Sequence, residues 1–145
     1  MKEHIYTIGP IEDCTVEHMT GWRNEVNDYM QELGIPVFDP TRRMTFHDQM
    51  DGFAQDTYRN LNICKRIFKQ DLQEVSNSRV VIADIRRSSG RGTGSSCEIM
   101  FAHMRNKIII LWADPEDPIH PFLEAMGTEK HYALKDVLKA AASYY

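Results

Sequence analysis

The chain has 145 residues, of which 42% are hydrophobic and 26% are charged. These values are typical of one water-soluble globular domain and exclude collagen, coiled coils and disordered tails. The 17 basic and 21 acidic residues give a net charge of −4, which argues against a binder of duplex nucleic acid, and no apolar run approaches the roughly 20 residues of a membrane helix.

The N-terminal part of the chain alternates between apolar runs and a helical period. Ile5 to Ile8 is predicted as a short strand. Thr15 to Leu33 is predicted as a helix that ends at Gly34, since a glycine commonly follows the last turn of a helix. The apolar residues of that helix recur every three or four positions: Val16, Met19, Trp22, Val26, Met30 and Leu33. Ile35 to Phe38 is predicted as a second strand, and residues 41–55 as a long loop of the kind that often carries function.

The alternation continues to the C-terminus. Thr57 to Val75 is predicted as a helix, and Arg79 to Ile85 as a buried strand. Cys97 to Arg105 is predicted as the next helix, followed by a second buried strand from Lys107 to Trp112. Two further helices are predicted at Pro121 to Met126 and Leu134 to Ala142.

Strands that alternate with helices predict βαβ units and a parallel sheet, which is the α/β class. Continuous apolar strands agree with this, because strands of a parallel sheet are covered on both faces. In open sheets of this class, ligands bind beyond the carboxyl ends of the strands. The segments that follow the predicted strands are therefore candidates for a site: residues 9–13, 39–43, 84–98 and 113–117.

A glycine- and serine-rich stretch from Ser88 to Glu98 follows a predicted strand and opens a predicted helix. Gly92 and Gly94 allow the backbone to approach a ligand closely, and the amides of such a turn bind oxygen atoms. The stretch lacks the Gly-Lys-Ser/Thr ending of a P-loop, and it does not follow the first strand as a dinucleotide fingerprint does. It predicts an oxygen-rich ligand such as a sugar or a phosphate.

Glu98 has two interpretations. Ser95-x-x-Glu98 fits a capping box, in which the Glu98 carboxylate bonds back to the Ser95 amide in the first helical turn. Alternatively, the helix N-terminus favours an ionised Glu98, and a carboxylate aimed at a glycine-rich pocket can attack a sugar carbon. Purely structural interpretations stay open for three other candidates: a strand-end cap for Asp84, a solvated helix position for Asp71, and a core position for Tyr6.

Other chemistries find no support in the spacing. The six histidines show no metal-ligand pattern, and a Gly-x-Ser-x-Gly nucleophile elbow is absent. We therefore expect no catalytic metal. Cys14, Cys64 and Cys97 lie far apart without a CxxC pair, which favours free thiols in a reducing compartment. With no signal peptide visible, we expect a cytoplasmic protein.

Three motifs stand in a defined order along the chain. Ile5-Tyr6-x-x-Gly9-Pro10 opens it, and Asp71-Leu72-x-x-Val75-x-x-Ser78 leads into the strand that ends at Asp84. Gly94-Ser95-x-x-Glu98-Ile99 then leads through Ala102 to Lys107 and an apolar strand. By their order and spacing, the chain resembles the nucleoside 2-deoxyribosyltransferase family, which includes a branch of nucleoside 5′-monophosphate N-glycosidases.

The resemblance implies a flavodoxin-like parallel sheet of about five strands in a single domain over residues 1–145. It implies cleavage of the bond between a deoxyribose and a base by a glutamate nucleophile, without a cofactor. Glu98 matches that nucleophile, Tyr6 matches the tyrosine that orients it, and Asp71 matches the aspartate beside the leaving base. Gly94 and Ser95 match the turn that cradles the sugar, and the further candidate substrate contacts are Gly9, Asp84 and Gly92.

Some positions depart from the family pattern. Many transferases carry an acidic residue shortly before the nucleophile, where this chain reads Arg91-Gly92-Thr93. The turn that contains Glu12 and Asp13 is acidic, where the monophosphate branch has a basic, glycine-rich turn. Glu124 stands where transferases often have an asparagine and the monophosphate branch a small hydroxyl residue. Phosphate contacts remain open for three arginines, Arg42, Arg86 and Arg91.

Three functions follow, in order of preference. The first is transfer of a deoxyribosyl group from a 2′-deoxynucleoside to another free base through a covalent glutamyl intermediate. The second is hydrolysis of nucleoside 5′-monophosphates to base and sugar phosphate, and the third is a non-catalytic nucleotide-binding module. The expected partners are small molecules rather than nucleic acid or membrane. The resemblance also implies a homo-oligomer with shared sites, in which Tyr144 or Tyr145 of one subunit reaches the site of another, so both Glu124 and Tyr145 are candidate substrate contacts.

Overall fold

The computed structural model describes residues 3–11, 14–43, 61–87 and 92–145, and the side chains of residues 43 and 61 are not described. Several features of the sequence lie outside these ranges. They are the acidic pair at 12–13, residues 44–55 of the expected long loop, the first residues of the helix expected from position 57, and residues 88–91 of the glycine-rich stretch.

Five parallel strands form one sheet in the order β2-β1-β3-β4-β5. The strands are β1 (His4–Ile8), β2 (Val37–Phe38), β3 (Ser78–Asp84), β4 (Ile108–Trp112) and β5 (Glu129–His131). In the centre of the sheet, Tyr6 of β1 pairs with Phe38 on one side and with Val81 on the other. This all-parallel sheet flanked by helices confirms the predicted α/β class, and its strand order is the flavodoxin-like one.

The helices are α1 (Val16–Glu32), α2 (Leu61–Asn77), α3 (Thr93–Met104), α4 (Pro121–Met126) and α5 (Leu134–Ala142), and Pro40–Arg43 forms a short 3₁₀ helix. Thr15 caps the start of α1, where its Oγ1 accepts a hydrogen bond of 3.1 Å from the His18 amide. Gly34 follows the end of α1 with a φ of 69°, a left-handed conformation that glycine adopts without steric cost. The predicted end of this helix is therefore confirmed.

Hydrophobic residues fill both faces of the sheet, because successive strand residues point to opposite sides. One core contains Tyr6 and Ile8 of β1 and is covered by residues of α2, α3 and α4, such as Val75, Ile99 and Leu123. The other core contains Ile5 of β1 and is covered by α1 and α5. Tyr6 and Glu98 therefore belong to the α2–α3 side, whereas α1 packs on the opposite side.

The structure corrects the sequence-based elements at three places. The resemblance implied about five strands, but the residue pattern did not locate β5, because Glu129, Lys130 and His131 are charged or polar and form an edge strand without an apolar run. The 3₁₀ helix Pro40–Arg43 occupies the start of the expected loop. The helix α3 begins at Thr93, four residues before the predicted start.

Within the described ranges, no helix is both long and apolar enough to cross a membrane. Cys14, Cys64 and Cys97 are all free thiols, and of these Cys97 is exposed.

Candidate functional site

The strand order changes direction between β1 and β3. From β1 the chain continues to β2 on one side, and from β3 it continues to β4 on the other. Crossover connections that leave two neighbouring strands in opposite directions open a crevice at the carboxyl ends of those strands. Gly9 follows β1 and Asp84 ends β3, so both lie at this crevice.

Tyr6 and Glu98 meet beside this crevice. The Tyr6 hydroxyl donates a hydrogen bond of 2.6 Å to Glu98 Oε2. Tyr6 is fully buried, and its ring stacks on Phe38 of β2 with 5.8 Å between the ring centroids. Glu98 is half-buried on α3. A short O–H···O contact of this kind is strongest with an ionised carboxylate, so the pair favours a charged Glu98 that is held in one orientation.

The start of α3 excludes the capping box that the spacing allowed. The residue that caps α3 is Gly92, whereas Ser95 is the third helical residue and Glu98 lies in the second turn. The Glu98 side chain reaches the Tyr6 hydroxyl across the helix–sheet boundary instead of bonding back to Ser95. The capping-box interpretation of Glu98 is therefore wrong, and the Glu98 carboxylate faces the sheet.

Two glycines stand at the start of α3. Among the described residues, and apart from the adjoining backbone, no atom lies within 4 Å of a Cβ added at Gly92 or Gly94. The first amides of a helix have no partner within the helix, and they carry a partial positive charge. Ser95 follows in the same turn and is buried. This end of α3 thus offers hydrogen-bond donors for a polar ligand, and the sugar contacts expected at Gly92, Gly94 and Ser95 stay predictions.

Asp84 pairs with Arg86, which lies two residues further along the chain. Its carboxylate accepts hydrogen bonds of 2.9 and 3.0 Å from Nε and Nη2 of Arg86, and a third of 3.2 Å from the Arg86 amide. The Arg86 guanidinium in turn lies 3.4 Å from the centroid of the Trp112 ring. Through these hydrogen bonds, Asp84 fixes the position of the chain directly after β3. A direct contact between Asp84 and a substrate stays a prediction.

Arg23 was not singled out from the sequence, yet it is fully buried on α1. Its Nη1 donates to the Met19 carbonyl at 2.6 Å, and its Nη2 donates to the Gly9 carbonyl at 3.0 Å. Its Nε lies 3.8 Å from Asp39 Oδ1. The signal was present in the helical period, because Arg23 stands on the apolar stripe of α1, four residues after Met19 and three before Val26.

Several acidic groups surround the Arg23 guanidinium. Burial lowers the pKa of Arg23, and the acidic groups nearby, Asp39 first among them, oppose that effect. These groups come from β1, the ends of β2 and β3, and α3. Arg23 is therefore a buried cation that pairs with Asp39 at the end of β2 and bonds to the Gly9 carbonyl after β1.

Asp39 follows β2 and anchors the 3₁₀ helix. Its Oδ1 accepts hydrogen bonds from the amide and the hydroxyl of Thr41 at 2.9 and 2.6 Å. Its Oδ2 accepts one from Asn27 of α1 at 3.2 Å and lies 3.5 Å from Nε of Arg42. Asp39 thereby ties the end of β2 to α1.

Asp71 stands at the height of Tyr6 in the sheet. The end of α2 and the start of β3 are adjacent in the chain, so both distances can be measured from the turn between them. Asp71 lies six residues before the end of α2, which is about 9 Å along the helix. Val81, the partner of Tyr6, lies about 10 Å along β3 from its start. Asp71 also precedes Val75 by one turn on the same helix face, and Val75 belongs to the core that contains Tyr6. Half-buried Asp71 thus approaches the side of the sheet that carries Glu98, and its predicted role beside the leaving base is compatible with this position.

Two further candidates lie away from the Tyr6–Glu98 pair. Glu124 on α4 is exposed, and its two carboxylate oxygens accept hydrogen bonds of 2.8 and 2.9 Å from Nζ of Lys130. Tyr145 packs against Arg79, which lies at the amino end of β3, with 5.1 Å between guanidinium carbon and ring centroid. Burial raises the pKa of Tyr145 to about 12. Tyr145 therefore lies near the amino end of β3, away from the crevice at the carboxyl ends of the strands, and its role as a substrate contact stays a prediction.

The segment after β4 lines a cleft of about 250 Å³ together with Lys130 and Tyr132. Residues 113–119 line the cleft, and they include all five positions of the segment 113–117 that the strand pattern marked beyond β4. Among the described residues, no group of three or more His, Cys, Asp or Glu side chains is placed to hold a metal ion.

The chain is thus an α/β protein of flavodoxin-like topology with a Tyr–Glu pair at the switch point of its sheet. Its fold is similar to that of a 2-deoxyribosyltransferase from Bacillus psychrosaccharolyticus, with a TM-score of 0.71, 16% identity, and 93% of this chain and 90% of the other covered. It is also similar to the CMP N-glycosidase BcmB of Clostridium botulinum, with a TM-score of 0.59, 13% identity, and coverage of 99% and 100%.

A conserved protein from Enterococcus faecalis V583 gives a TM-score of 0.71 at 11% identity, with all of both chains covered. No protein-family model matches the sequence, and no curated protein sequence matches it. The structural similarity shows that the chain has the fold of the 2-deoxyribosyltransferases and of the related N-glycosidase, as the sequence resemblance implies.

Proposed function

We propose that the protein cleaves the N-glycosidic bond of 2′-deoxynucleosides and transfers the deoxyribosyl group to a second base, with Glu98 as the nucleophile. The observation that carries this proposal is the 2.6 Å hydrogen bond from Tyr6 to Glu98 beside the crevice at the ends of β1 and β3. Structures of similar fold include enzymes that are described as a 2-deoxyribosyltransferase and as a CMP N-glycosidase, which supports the same class of reaction.

In the first step, a carboxylate oxygen of Glu98 attacks C1′ of the deoxyribose. The C1′–O bond forms while the C1′–N bond to the base breaks through an oxocarbenium-like transition state. The bonding electrons leave with the base, and the protonated carboxyl of Asp71 supplies a proton to a base nitrogen. Tyr6 holds Glu98 in the orientation for attack, and the amides at the start of α3 face the sugar.

In the second step, a ring nitrogen of the incoming base attacks C1′. The C1′–O bond breaks, the Glu98 carboxylate is released, and the proton lost by the incoming base returns to Asp71. Two displacements at the same carbon retain the configuration at C1′. If water attacks instead, the product is free deoxyribose and the reaction is a hydrolysis.

The arginines near the strand ends favour a free nucleoside over a 5′-monophosphate. Arg23 and Arg42 lie against Asp39, and Arg86 is bonded to Asp84. Each guanidinium therefore faces a carboxylate of the protein, which weakens its attraction for a phosphate. Arg91 lies outside the described residues.

We also propose that the protein is a homo-oligomer. Met100 and Met104 lie one turn apart on α3 and expose 44% and 71% of their surface, and Phe122 on the neighbouring α4 exposes 68%. Exposed large hydrophobic side chains that cluster on adjacent elements are typical of protein interfaces. Sedimentation velocity tests this proposal, and a monomer at micromolar concentration would contradict it.

A chromatographic assay tests the reaction. The protein is incubated with each 2′-deoxynucleoside, with and without a different free base, and with deoxynucleoside 5′-monophosphates in parallel. Glu98→Ala is the inactive variant, and Glu25→Gln, which changes an exposed glutamate of α1, is the matched control. We expect a new nucleoside that forms only when the acceptor base is present, with Glu98→Ala inactive and Glu25→Gln like the wild type.

The other outcomes are distinct. Base released only from monophosphates would replace transfer by nucleotide hydrolysis. Product formation by Glu98→Ala at the wild-type rate would refute the nucleophile. No product with any substrate would refute an enzyme of this class and favour a nucleotide-binding module. Intact-mass analysis of acid-quenched protein supplies a direct check, because the first step predicts a deoxyribosyl adduct on Glu98.

A further inference from the structure

We propose that Phe38 is a positioning residue for Tyr6: its ring, stacked on the Tyr6 ring, sets the plane in which the Tyr6 hydroxyl donates its hydrogen bond to Glu98. This role rests on the proposed function where it makes Glu98 the nucleophile. The contact between the two rings is a property of the folded protein, and its effect on the hydrogen bond can be measured without turnover.

The plane of the Tyr6 ring is not fixed by the side chain itself. Rotation about the bond between a tyrosine ring and its Cβ is broad and roughly twofold, so neighbouring groups decide where the ring rests. The hydroxyl oxygen lies on the rotation axis and does not move with the ring. The O–H bond, however, prefers the ring plane, because an oxygen lone pair is conjugated with the ring. The plane of the Tyr6 ring therefore selects the directions in which its hydroxyl can donate.

Phe38 supplies a neighbour that determines this plane. It lies beside Tyr6 because the two residues pair in register between β2 and β1. Their ring centroids lie 5.8 Å apart and their planes differ by 5°, and such pairs are favourable at centroid distances of roughly 4.5–7 Å. On its other side Tyr6 pairs with Val81 of β3, a buried residue with a stiff β-branched side chain. A Tyr6 ring that turned would lose its stacked contact with Phe38.

Phe38 is itself held in place, although β2 contains only two residues. Asp39 follows it directly, is buried, and accepts a hydrogen bond of 3.2 Å from Asn27 of α1. The His4 ring lies 5.5 Å from the Phe38 ring between centroids, and Nε2 of His4 hydrogen-bonds with the Glu74 carbonyl of α2 at 2.9 Å. The position of Phe38 is thus fixed from both sides of the sheet.

The three residues Phe38, Tyr6 and Glu98 are connected by direct contacts on one side of the sheet. Phe38 packs against the core that contains Tyr6, and α3, which carries Glu98, covers that core. A hydrogen bond weakens steeply once its donor angle falls below about 120°. A turned Tyr6 ring would therefore weaken the bond to Glu98 even if the two oxygen atoms stayed 2.6 Å apart. Phe38 acts on Glu98 through this bond.

Phe38→Leu tests the role in turnover, because it keeps an apolar side chain and removes the flat ring. We expect kcat to fall by about 2- to 10-fold, the preference that an aromatic pair confers on one arrangement. KM is expected to stay within about twofold, since Phe38 acts through Tyr6 and not on the substrate. A raised KM at unchanged kcat would show that Phe38 binds the substrate directly, and would overturn the proposal.

Phe38→Tyr is the conservative variant, since it keeps a flat ring at this position. Its kcat is expected to stay within about twofold of the wild type. A Phe38→Tyr protein as slow as Phe38→Leu would show that the flat ring is not the property that matters. Tyr29→Leu is the matched control, because it removes a half-buried aromatic ring on the opposite side of the sheet, and its kcat is expected to change less than about twofold.

A double-mutant cycle separates positioning from a general loss of structure. In a Tyr6→Phe background there is no hydroxyl to orient, so Phe38→Leu is expected to cause no further loss of kcat. Residues that act through one contact are non-additive in this way, whereas independent effects add. The same fold-loss in both backgrounds would show that Phe38 supports the fold alone, and would overturn the proposal.

Phe38→Leu removes part of a core and is at risk of unfolding, which thermal unfolding reveals. Phe38→Met then takes its place, because the unbranched methionine side chain fills irregular space without offering a flat face. We expect the same loss of kcat and the same dependence on the Tyr6 hydroxyl. Wild-type kcat in either folded variant overturns the proposal.

The ¹³C NMR signal of the Tyr6 Cζ atom supplies a readout without turnover. It is assigned by its loss in Tyr6→Phe, and Glu98→Gln shows where it moves when the charged acceptor is removed. We expect Phe38→Leu to move the signal part of the way toward its position in Glu98→Gln. The ring current of Phe38 is lost as well, and repeating Phe38→Leu in the Glu98→Gln background measures that contribution alone.

Equal displacements of the Cζ signal in the two backgrounds would show that Phe38 does not act on the hydrogen bond, and would overturn the proposal. A larger displacement in the background that keeps Glu98 supports it. If the wild type cleaves no nucleoside, the proposed function fails, yet this comparison still decides whether Phe38 orients the Tyr6 hydroxyl toward Glu98.

Discussion

The Tyr6 hydroxyl donates a hydrogen bond of 2.6 Å to Glu98 across 92 positions of sequence. The pairing depends on two registers at once. β1 must present Tyr6 on the α2–α3 side of the sheet, and α3 must begin at Thr93 so that Glu98 falls one turn before the buried Ala102. A shift of one residue in either element would separate the two groups.

Removing the Tyr6 hydroxyl tests its role on Glu98. We expect Tyr6→Phe to lower kcat by roughly 10- to 100-fold, since a hydrogen bond to a charged group contributes about 1.5–3 kcal/mol. The phenyl ring keeps its packing on Phe38, and the melting temperature is expected to change little. Steady-state kinetics and thermal unfolding of both proteins measure these effects.

Tyr29→Phe is the control for this substitution. Tyr29 is half-buried on α1, on the opposite side of the sheet, and the loss of its hydroxyl is expected to leave kcat within about twofold of the wild type. A Tyr6→Phe protein that is folded and fully active would remove Tyr6 from the mechanism.

Gly9 is predicted to tolerate no side chain. An added Cβ would stand 2.8 Å from Trp22 and 3.2 Å from Arg23, both of which are buried and held by their neighbours. We expect Gly9→Ala to lower the free energy of unfolding by about 1–3 kcal/mol, the usual cost of overpacking. Urea unfolding followed by tryptophan fluorescence measures the change.

The matched control is Gly21→Ala, which adds the same methyl group inside α1. Apart from the backbone of α1 itself, no atom of the described residues lies within 4 Å of a Cβ at Gly21, and alanine is a better helix former than glycine. The free energy of unfolding is expected to rise by up to about 1 kcal/mol. If Gly21→Ala lowers the free energy of unfolding as much as Gly9→Ala does, the contacts around Gly9 are not the cause of the destabilisation.

The fold was largely predictable because the strongest signals are local. The apolar runs of β3 and β4 and the helical period of α1 mark elements that the structure confirms within a few residues. The residue pattern did not reveal β5, because an edge strand needs no apolar run. The start of α3 was misplaced because Ser95 and Glu98 imitate a capping box, although Gly92 caps the helix.

The candidate site was predictable only in part. No local pattern connects Tyr6 with Glu98, and only the resemblance to a family indicated that they meet. Arg23 was overlooked because arginine is usually solvated, although its place on the apolar stripe of α1 marked it as buried. The compensation of such a charge depends on Asp39 and Gly9, whose proximity is a product of the tertiary fold.

We expect the stability of the protein to depend on pH because His4 is partly buried. Burial lowers the pKa of His4 below its ordinary 6.5, and its Nε2 hydrogen-bonds with the Glu74 carbonyl at 2.9 Å. Between the lowered value and 6.5, the unfolded chain binds more protons than the folded one. The contribution of His4 is therefore present above pH 6.5 and is lost as the pH falls through this window toward the lowered pKa of the folded state.

His4→Gln keeps a hydrogen-bond donor at this position and removes the titration. We expect its free energy of unfolding to fall less steeply than that of the wild type between pH 7 and pH 5. His103→Gln changes an exposed histidine at the end of α3 and is expected to leave the wild-type slope intact. Parallel slopes for the wild type and His4→Gln would contradict the shifted pKa of His4.

We expect Asp84 to stabilise the folded protein through its ion pair with Arg86. Asp84→Asn keeps the size of the side chain but removes the charge that accepts two hydrogen bonds from the Arg86 guanidinium. Breaking a buried ion pair costs about 3–5 kcal/mol. Because the Arg86 side chain is 23% exposed and water compensates part of the loss, we expect a destabilisation of about 1–3 kcal/mol.

Asp114→Asn is the comparison for this variant, since Asp114 also accepts a hydrogen bond from the segment after β3, from the Arg87 amide at 2.9 Å, but at an exposed position. We expect it to cost less than about 1 kcal/mol. Urea unfolding followed by tryptophan fluorescence suits both variants, because Arg86 lies on the ring of Trp112. An Asp84→Asn protein of unchanged stability but raised KM would show instead that the carboxylate binds the substrate, and that Arg86 does not need it.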